Sequence, residues 1–182
     1  VLSCSGPGAV SGIIAAVDWV TSHRVDPAIA NLSLVSGASS ALDTAVGNSI
    51  ASGVTYAVTA GSSNADACGF SPARVVSAIT VGSTAGRDVR SSFSNFGRCV
   101  DIFAPGSNIT SAWATNDAAI NIISGGSMAT AHVAGVAALY LATHAPVSPA
   151  TVRNALVNSA TTNVIGVVGS GSPNRLLYSL VP

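Results

Sequence analysis

The chain has 182 residues, the size of one ordinary domain, of which 48% are hydrophobic and 8% charged. Seven Arg balance seven Asp, with no Lys, Glu or Gln, so the net charge is zero. That excludes a basic nucleic-acid face, an acidic tail and a polybasic membrane anchor, and so low a charge is the opposite of a disordered composition. Any carboxylate base must be an Asp. The chain opens Val1-Leu2-Ser3, with neither Met nor a basic leader, and reads as processed, excised, or tagged and cleaved.

The first predicted element is a helix over Ser11 to Ser22, with Ile13, Ile14, Val17 and Val20 at helical spacing and Ser11 as cap. Ala30 to Val35 reads as a short strand. Ser39 to Ser52 is a second helix, stopped by Gly53. Apolar strands follow at Val54–Thr59, Ile79–Gly82 and Val100–Phe103. A long helix begins after Ser127 and ends near Ala145-Pro146. It carries Thr130, His132, Thr143 and His144, so it reads as a core helix and not as a membrane span. A last helix runs from Ser148, its cap, to Val157, with Pro149 at its first position. Helices alternating with continuously apolar strands predict an α/β fold, a parallel sheet with helices on both faces. Ligands in such sheets sit beyond the carboxyl ends of the strands.

Three cysteines, Cys4, Cys68 and Cys99, leave one over in any pairing. Three free thiols and one bridge with an orphan stand equal on arithmetic alone.

The chemistry concentrates in Ser124-Gly125-Gly126-Ser127-Met128-Ala129-Thr130-Ala131-His132-Val133-Ala134-Gly135. Two glycines precede a serine at a helix N-terminus, where free N–H groups and the helix dipole favour developing negative charge. Ser127 there can serve as a nucleophile whose own N–H helps hold an oxyanion. The plainer reading is a helix cap. His132 lies five residues on, about 140° around the helix, so it cannot face Ser127. It is expected to be a buried, hydrogen-bonded structural histidine.

This segment resembles the nucleophile signature of the subtilisin superfamily, or subtilases, usually Gly-Thr-Ser-Met-Ala-Thr-Pro-His-Val-Ala-Gly. Residues 11–20, 56–61, 91–97, 100–106 and 171–178 are similar to the proteinase K branch, and to aqualysin-like enzymes in particular. The resemblance runs from the first residue to the last. It implies that residues 1–182 are the later part of a subtilisin-like catalytic domain, secreted, with serine endopeptidase as the family activity and Ser127 as nucleophile. It pairs Cys68 with Cys99 and gives Cys4 a partner earlier in the chain. The family triad runs Asp, His, Ser. The Asp-Thr-Gly and His-Gly-Thr-His motifs of its first two members occur nowhere in these residues.

The rest of the implied site is altered. Ser62 stands at the oxyanion-hole position, where the family has Asn after Ala-Ala-Gly; here the run is Thr59-Ala60-Gly61-Ser62. The substrate-binding strand Ser-Leu-Gly-Gly-Gly reads Ser33-Leu34-Val35-Ser36-Gly37, with a branched side chain where glycine lets a peptide backbone approach. Thr59, Ala60, Gly61 and Asn64, at a strand end nearby, complete the expected substrate-binding set. Gly126 replaces a Thr and Ala131 a Pro. No cofactor is required; a structural calcium is implied on the Asp101 carboxylate with the carbonyls of Val76 and Ala78.

The lone chain is therefore expected to be a subtilase-derived domain that is not a standard peptidase, degenerate or repurposed for a small molecule in the old cleft. An alternative is the later fragment of a cleaved or split endopeptidase, whose partner fragment supplies Asp and His to act on peptides. A third is a non-catalytic interaction module. In relatives, upstream strands lie in the same sheet, so their loss would expose an edge near Ala30–Val35 and invite a partner or a homodimer. Nucleic acid and membrane are not expected partners.

Overall fold

The computed structural model describes residues 1–2 and 8–179. Cys4 lies outside the described residues. In chain order the elements are α1 (Val10–His23), β1 (Ile29–Leu32), β2 (Ser36–Gly37), α2 (Ser40–Ala51), β3 (Thr55–Thr59), β4 (Phe70–Ser71), β5 (Ile79–Ala85), β6 (Val89–Arg90), β7 (Ile102–Pro105), β8 (Ile109–Ala112), β9 (Ile120–Ile123), α3 (Gly126–His144), α4 (Pro149–Ser159), β10 (Thr161–Thr162) and β11 (Arg175–Leu176).

The main sheet has the order β1-β3-β5-β7-β11-β10, with β6 antiparallel to β5. β1, β3, β5, β7 and β11 run parallel. Every residue of β3 is buried, as a strand covered on both faces must be. Ala57 points with Ile79, Ile102, Val133 and Leu156 into the core beneath α3 and α4. Its neighbours Tyr56 and Val58 point the other way, with Ile13, Val17, Leu42 and Val46 of α1 and α2. The period of two along one strand thus builds both layers. No helix among the described residues is long and apolar enough to cross a membrane.

The helix stops and starts follow local chemistry. Ser39 caps α2, its hydroxyl accepting the Leu42 N–H, and Gly53 leaves the helix at φ +118°. Ser148 caps α4 with its hydroxyl on the Thr151 N–H, and Pro149 opens the helix. The expected Ser11 cap is corrected: α1 starts one residue earlier and Ala9 is the N-cap, without a side-chain bond. The apolar strand expected from Val100 is shifted, because the Val100 and Asp101 amides bond to Gly97 and Thr80 and regular pairing begins at Ile102.

Cys68 and Cys99 are disulfide-bonded, with Cα atoms 5.3 Å apart. The sheet ends at β1, which pairs only with β3 among the described strands. That is the edge expected near Ala30–Val35, although regular strand stops at Leu32.

Candidate active site

Three chain segments meet beyond the carboxyl ends of the parallel strands. Ser33 follows β1, Ser62 follows β3, and Ser127 lies in the first turn of α3. This is where the topology of a parallel sheet places a ligand. Ser127 is not the cap; Gly125 takes that position without a side-chain bond. The Gly125 N–H donates to the Gly106 carbonyl at 2.8 Å, which ties the start of α3 to the end of β7.

Ser33 and Ser127 clasp each other. The Ser127 hydroxyl donates to the Ser33 carbonyl, and the Ser33 hydroxyl donates to the Ser127 carbonyl, both at 3.3 Å. A carbonyl can accept the Ser127 proton in a hydrogen bond but cannot remove it. Among the described residues no imidazole bonds to Ser127. His132 is on the outer face of α3, its Nδ1 bonded to the Met128 carbonyl at 2.8 Å. The expected hydrogen bond is present; the expected burial is not, because residue 132 faces away from the sheet. His23 stacks on Trp19 and His144 on Tyr140, both on their own helices.

The corner implied for the oxyanion is assembled from residues that fit one another. The Ser62 hydroxyl oxygen accepts the Gly126 N–H at 3.0 Å, leaving its proton free to donate. The Gly61 N–H donates to Thr59 Oγ1 at 3.1 Å. A Cβ on Gly126 would lie 2.4 Å from that same Oγ1. Thr59 therefore requires glycine at 126. We expect Gly126→Thr to cost about 2–3 kcal/mol by overpacking. Combined with Thr59→Ala, the cost should fall below the sum of the single changes by about 1–2 kcal/mol, as residues in contact couple. Urea unfolding of the four species checks this; strict additivity would refute the contact.

Ala60 is buried, and the loop it leads into is held by a residue that sequence reading did not single out. Asn95 is fully buried. Its Oδ1 accepts the N–H groups of Ser63 (2.9 Å) and Ala65 (3.1 Å), and its Nδ2 donates to the Ala60 carbonyl at 2.8 Å. Asn95 is a positioning residue for Ser62. Its signal was an Asn inside the 91–97 stretch, but a clamp across thirty to thirty-five positions leaves no periodic trace.

The implied substrate strand is only partly a strand. Leu34 packs against the α1–α2 core, Val35 is half-exposed, and Ser36–Gly37 pair antiparallel with Phe70–Ser71. Asn64 does not join Ser127; its Oδ1 accepts from Arg90 at 3.1 Å. A cleft of about 730 Å³ extends from Ser127 between the β8–β9 hairpin and α3, walled by Ile109, Trp113, Met128, Ala131 and Leu139.

The cradle implied for calcium holds a side chain. Arg153 Nε donates to the Ala78 carbonyl at 3.2 Å, and its Nη2 donates to Asp101 Oδ1. Thr80 N–H donates to Asp101 Oδ2 at 2.9 Å. Burial pushes the Asp101 carboxyl above the usual carboxylate range, opposed by the Thr80 amide and the Arg153 guanidinium.

A profile of the Subtilase family matches residues 2–176. The chain belongs to the subtilase family. It is 57% identical to an extracellular serine proteinase of Thermus sp. (strain Rt41A), over 98% of this chain and 44% of that protein. It is 56% identical to alkaline serine exoprotease A of Vibrio alginolyticus, over 99% of this chain and 33% of that protein. The crystal structure of a cold-adapted subtilisin-like serine proteinase superposes with a TM-score of 0.95 at 54% identity, covering all of this chain and 66% of that one. The chain thus spans under half the length of these curated relatives. The subtilase fold, an α/β fold with a mainly parallel sheet, is the one described above.

Proposed function

We propose that this chain is the nucleophile-bearing part of a subtilase serine endopeptidase, with base and orienting carboxylate supplied by a preceding segment. The observation that carries this reading is α3. Its apolar residues are spread evenly around the helix, with no Asp or Arg in the whole element. A helix of that kind belongs in an interior. Yet Ala131, His132, Gly135, Ala138, Leu139 and Ala142 face solvent along one side, Leu139 at 64% exposure. That face forms a wall of the cleft at Ser127. A segment seated on it would bring its groups to the Ser127 hydroxyl. About a third of the matched crystal structure's chain lies outside what this chain covers, which leaves room for such a segment. The open β1 edge offers further seating by strand addition.

In the assembled site an imidazole from that segment removes the Ser127 proton as Oγ attacks the peptide carbonyl. The proton passes to the leaving amine as the C–N bond breaks, and water then hydrolyses the acyl-enzyme. This chain supplies the nucleophile and two donors for the oxyanion, the Ser127 N–H and the Ser62 hydroxyl. Losing the usual amide donor costs about 10²–10³ in rate, a magnitude established on a member of this superfamily. A slower enzyme than its relatives is expected. The reading of a degenerate or repurposed cleft rests on the same substitutions. Their mutual fit at Thr59, Ser62 and Gly126 favours a re-formed oxyanion corner instead. Secretion is part of the proposal, supported by the disulfide and by a relative named as extracellular.

The test joins the chain to its upstream coding segment and treats it with a serine-directed phosphonate. Intact mass should show one adduct on the joined protein, abolished by Ser127→Ala, and none on the isolated chain. A folded joined protein that takes no adduct and cleaves no peptide would overturn the reading.

A further inference from the structure

At the Asp101 cradle the structure departs from a metal site. Ca²⁺ takes six to eight oxygens at close range. The resemblance offers three protein atoms: a carboxylate and the carbonyls of Val76 and Ala78. Two of those three groups are already bonded to Arg153, and the remaining carboxylate oxygen is bonded to the Thr80 amide. The surrounding depression, about 400 Å³, is lined by Arg74, Arg98 and Arg153 against the single carboxylate of Asp101. Arg74 is paired with Asp43 at 2.5 Å and Arg153 with Asp101, so the lining carries no excess of negative charge to attract a divalent cation.

We propose that the Arg153 guanidinium is a tethered substitute for the metal, so that this cradle takes no calcium and is held without it. The fork geometry suits this role, because one N–H meets a carbonyl and another a carboxylate, and one positive charge balances one negative charge. The Arg153 and Asp101 side chains are 26% and 14% exposed, so water screens the pair weakly. The guanidinium joins α4 to the start of β5 and the approach to β7, where a bound ion would have joined only the latter two. Because the cation is covalently attached, the contact has no dependence on calcium concentration, unlike a ligand that stabilises by mass action. The inference is independent of the peptidase reading.

The test uses the chain as described, in chelator and in millimolar calcium. In the wild type the Thr80 amide resonance should not move on calcium addition. Arg153→Ala should lower the Tm in chelator by about 10 °C, since it leaves a buried carboxylate without its partner. Calcium should then restore part of that loss, and Arg153→Ala combined with Asp101→Asn should not respond. Arg153→Lys, which keeps the charge but not the fork, should fold, lose less, and stay indifferent to calcium. A saturable calcium shift of Thr80 in the wild type overturns the proposal. So does an Arg153→Ala chain that loses no stability in chelator.

Discussion

Asn95→Ala should lower the unfolding free energy by about 4 kcal/mol. Three hydrogen bonds go at once: those from Ser63 and Ala65 to Oδ1, and that from Nδ2 to Ala60. Ala60 is fully buried, so its carbonyl, left without a partner, costs about 1–3 kcal/mol, whereas Ser63 is exposed and Ala65 half-buried, so each of their bonds costs about 0.5–1.5 kcal/mol. The vacated volume adds a cavity term. Asn95→Asp is no remedy, because a second acceptor would then face the Ala60 carbonyl. The backbone around the clamp is equally constrained. Gly61 sits at φ +104°, and a Cβ there would lie 2.4 Å from Asn95 Nδ2. The effect should reach the site through Ser62, so phosphonate adduct formation on the joined protein should slow even where it remains folded. Urea unfolding checks the stability claim; a loss below about 1.5 kcal/mol would show that the loop finds other partners.

The clamp illustrates what the sequence carried and what it did not. Helices α2 and α4 were legible to within two residues because Ser39, Gly53, Ser148 and Pro149 act on their immediate neighbours. Strand β3 was legible because both faces are buried and its run is apolar throughout. The β8–β9 hairpin was not, since its Ile120 and Ile122 point outward and no Asn-Gly turn marks it. His132 was placed correctly relative to Ser127 by helix geometry, but its burial depends on what lies against α3. Ser127 was visible within a local motif. Its clasp with Ser33, 94 positions away, was not. Arg153 carried no signal at all: an arginine on a predicted helix is usually a solvated charge, and only the fold brings it to Asp101.

These cases share one cause. Local rules decide where chain elements start and stop, whereas the site is made by contacts between distant segments. A resemblance supplies those contacts by proxy, and it errs where this chain has changed two partners together. Thr59 with Gly126 is one such pair. A motif comparison scores each as a departure, while the packing shows them as one adjustment that preserves the Ser62 corner.

Replacing Cys68 and Cys99 together by Ser should cost about 3–4 kcal/mol without disturbing the site. The bond closes a span of 31 positions. In the chain-entropy model a loop of that length restricts the unfolded chain by roughly this amount. The native state gives it little else to do, because the two ends are already joined. The Ala67 N–H donates to the Phe96 carbonyl at 2.8 Å, and Asp66 bridges Phe96. Asp66 Oδ1 also accepts the Cys68 N–H at 2.9 Å, which fixes the turn independently of sulfur. Asn95 lies inside the closed loop and its partners Ala60, Ser63 and Ala65 just before it, and these bonds should stay intact in the folded variant. The expected signature is therefore split. The unfolding midpoint falls, the urea m-value rises as the unfolded chain expands, and Ser127 in the joined protein keeps its reactivity towards the phosphonate. Loss of labelling at concentrations of urea where the variant is folded would place the bond in the site's architecture, and a stability change under about 1 kcal/mol would contradict the unfolded-state account.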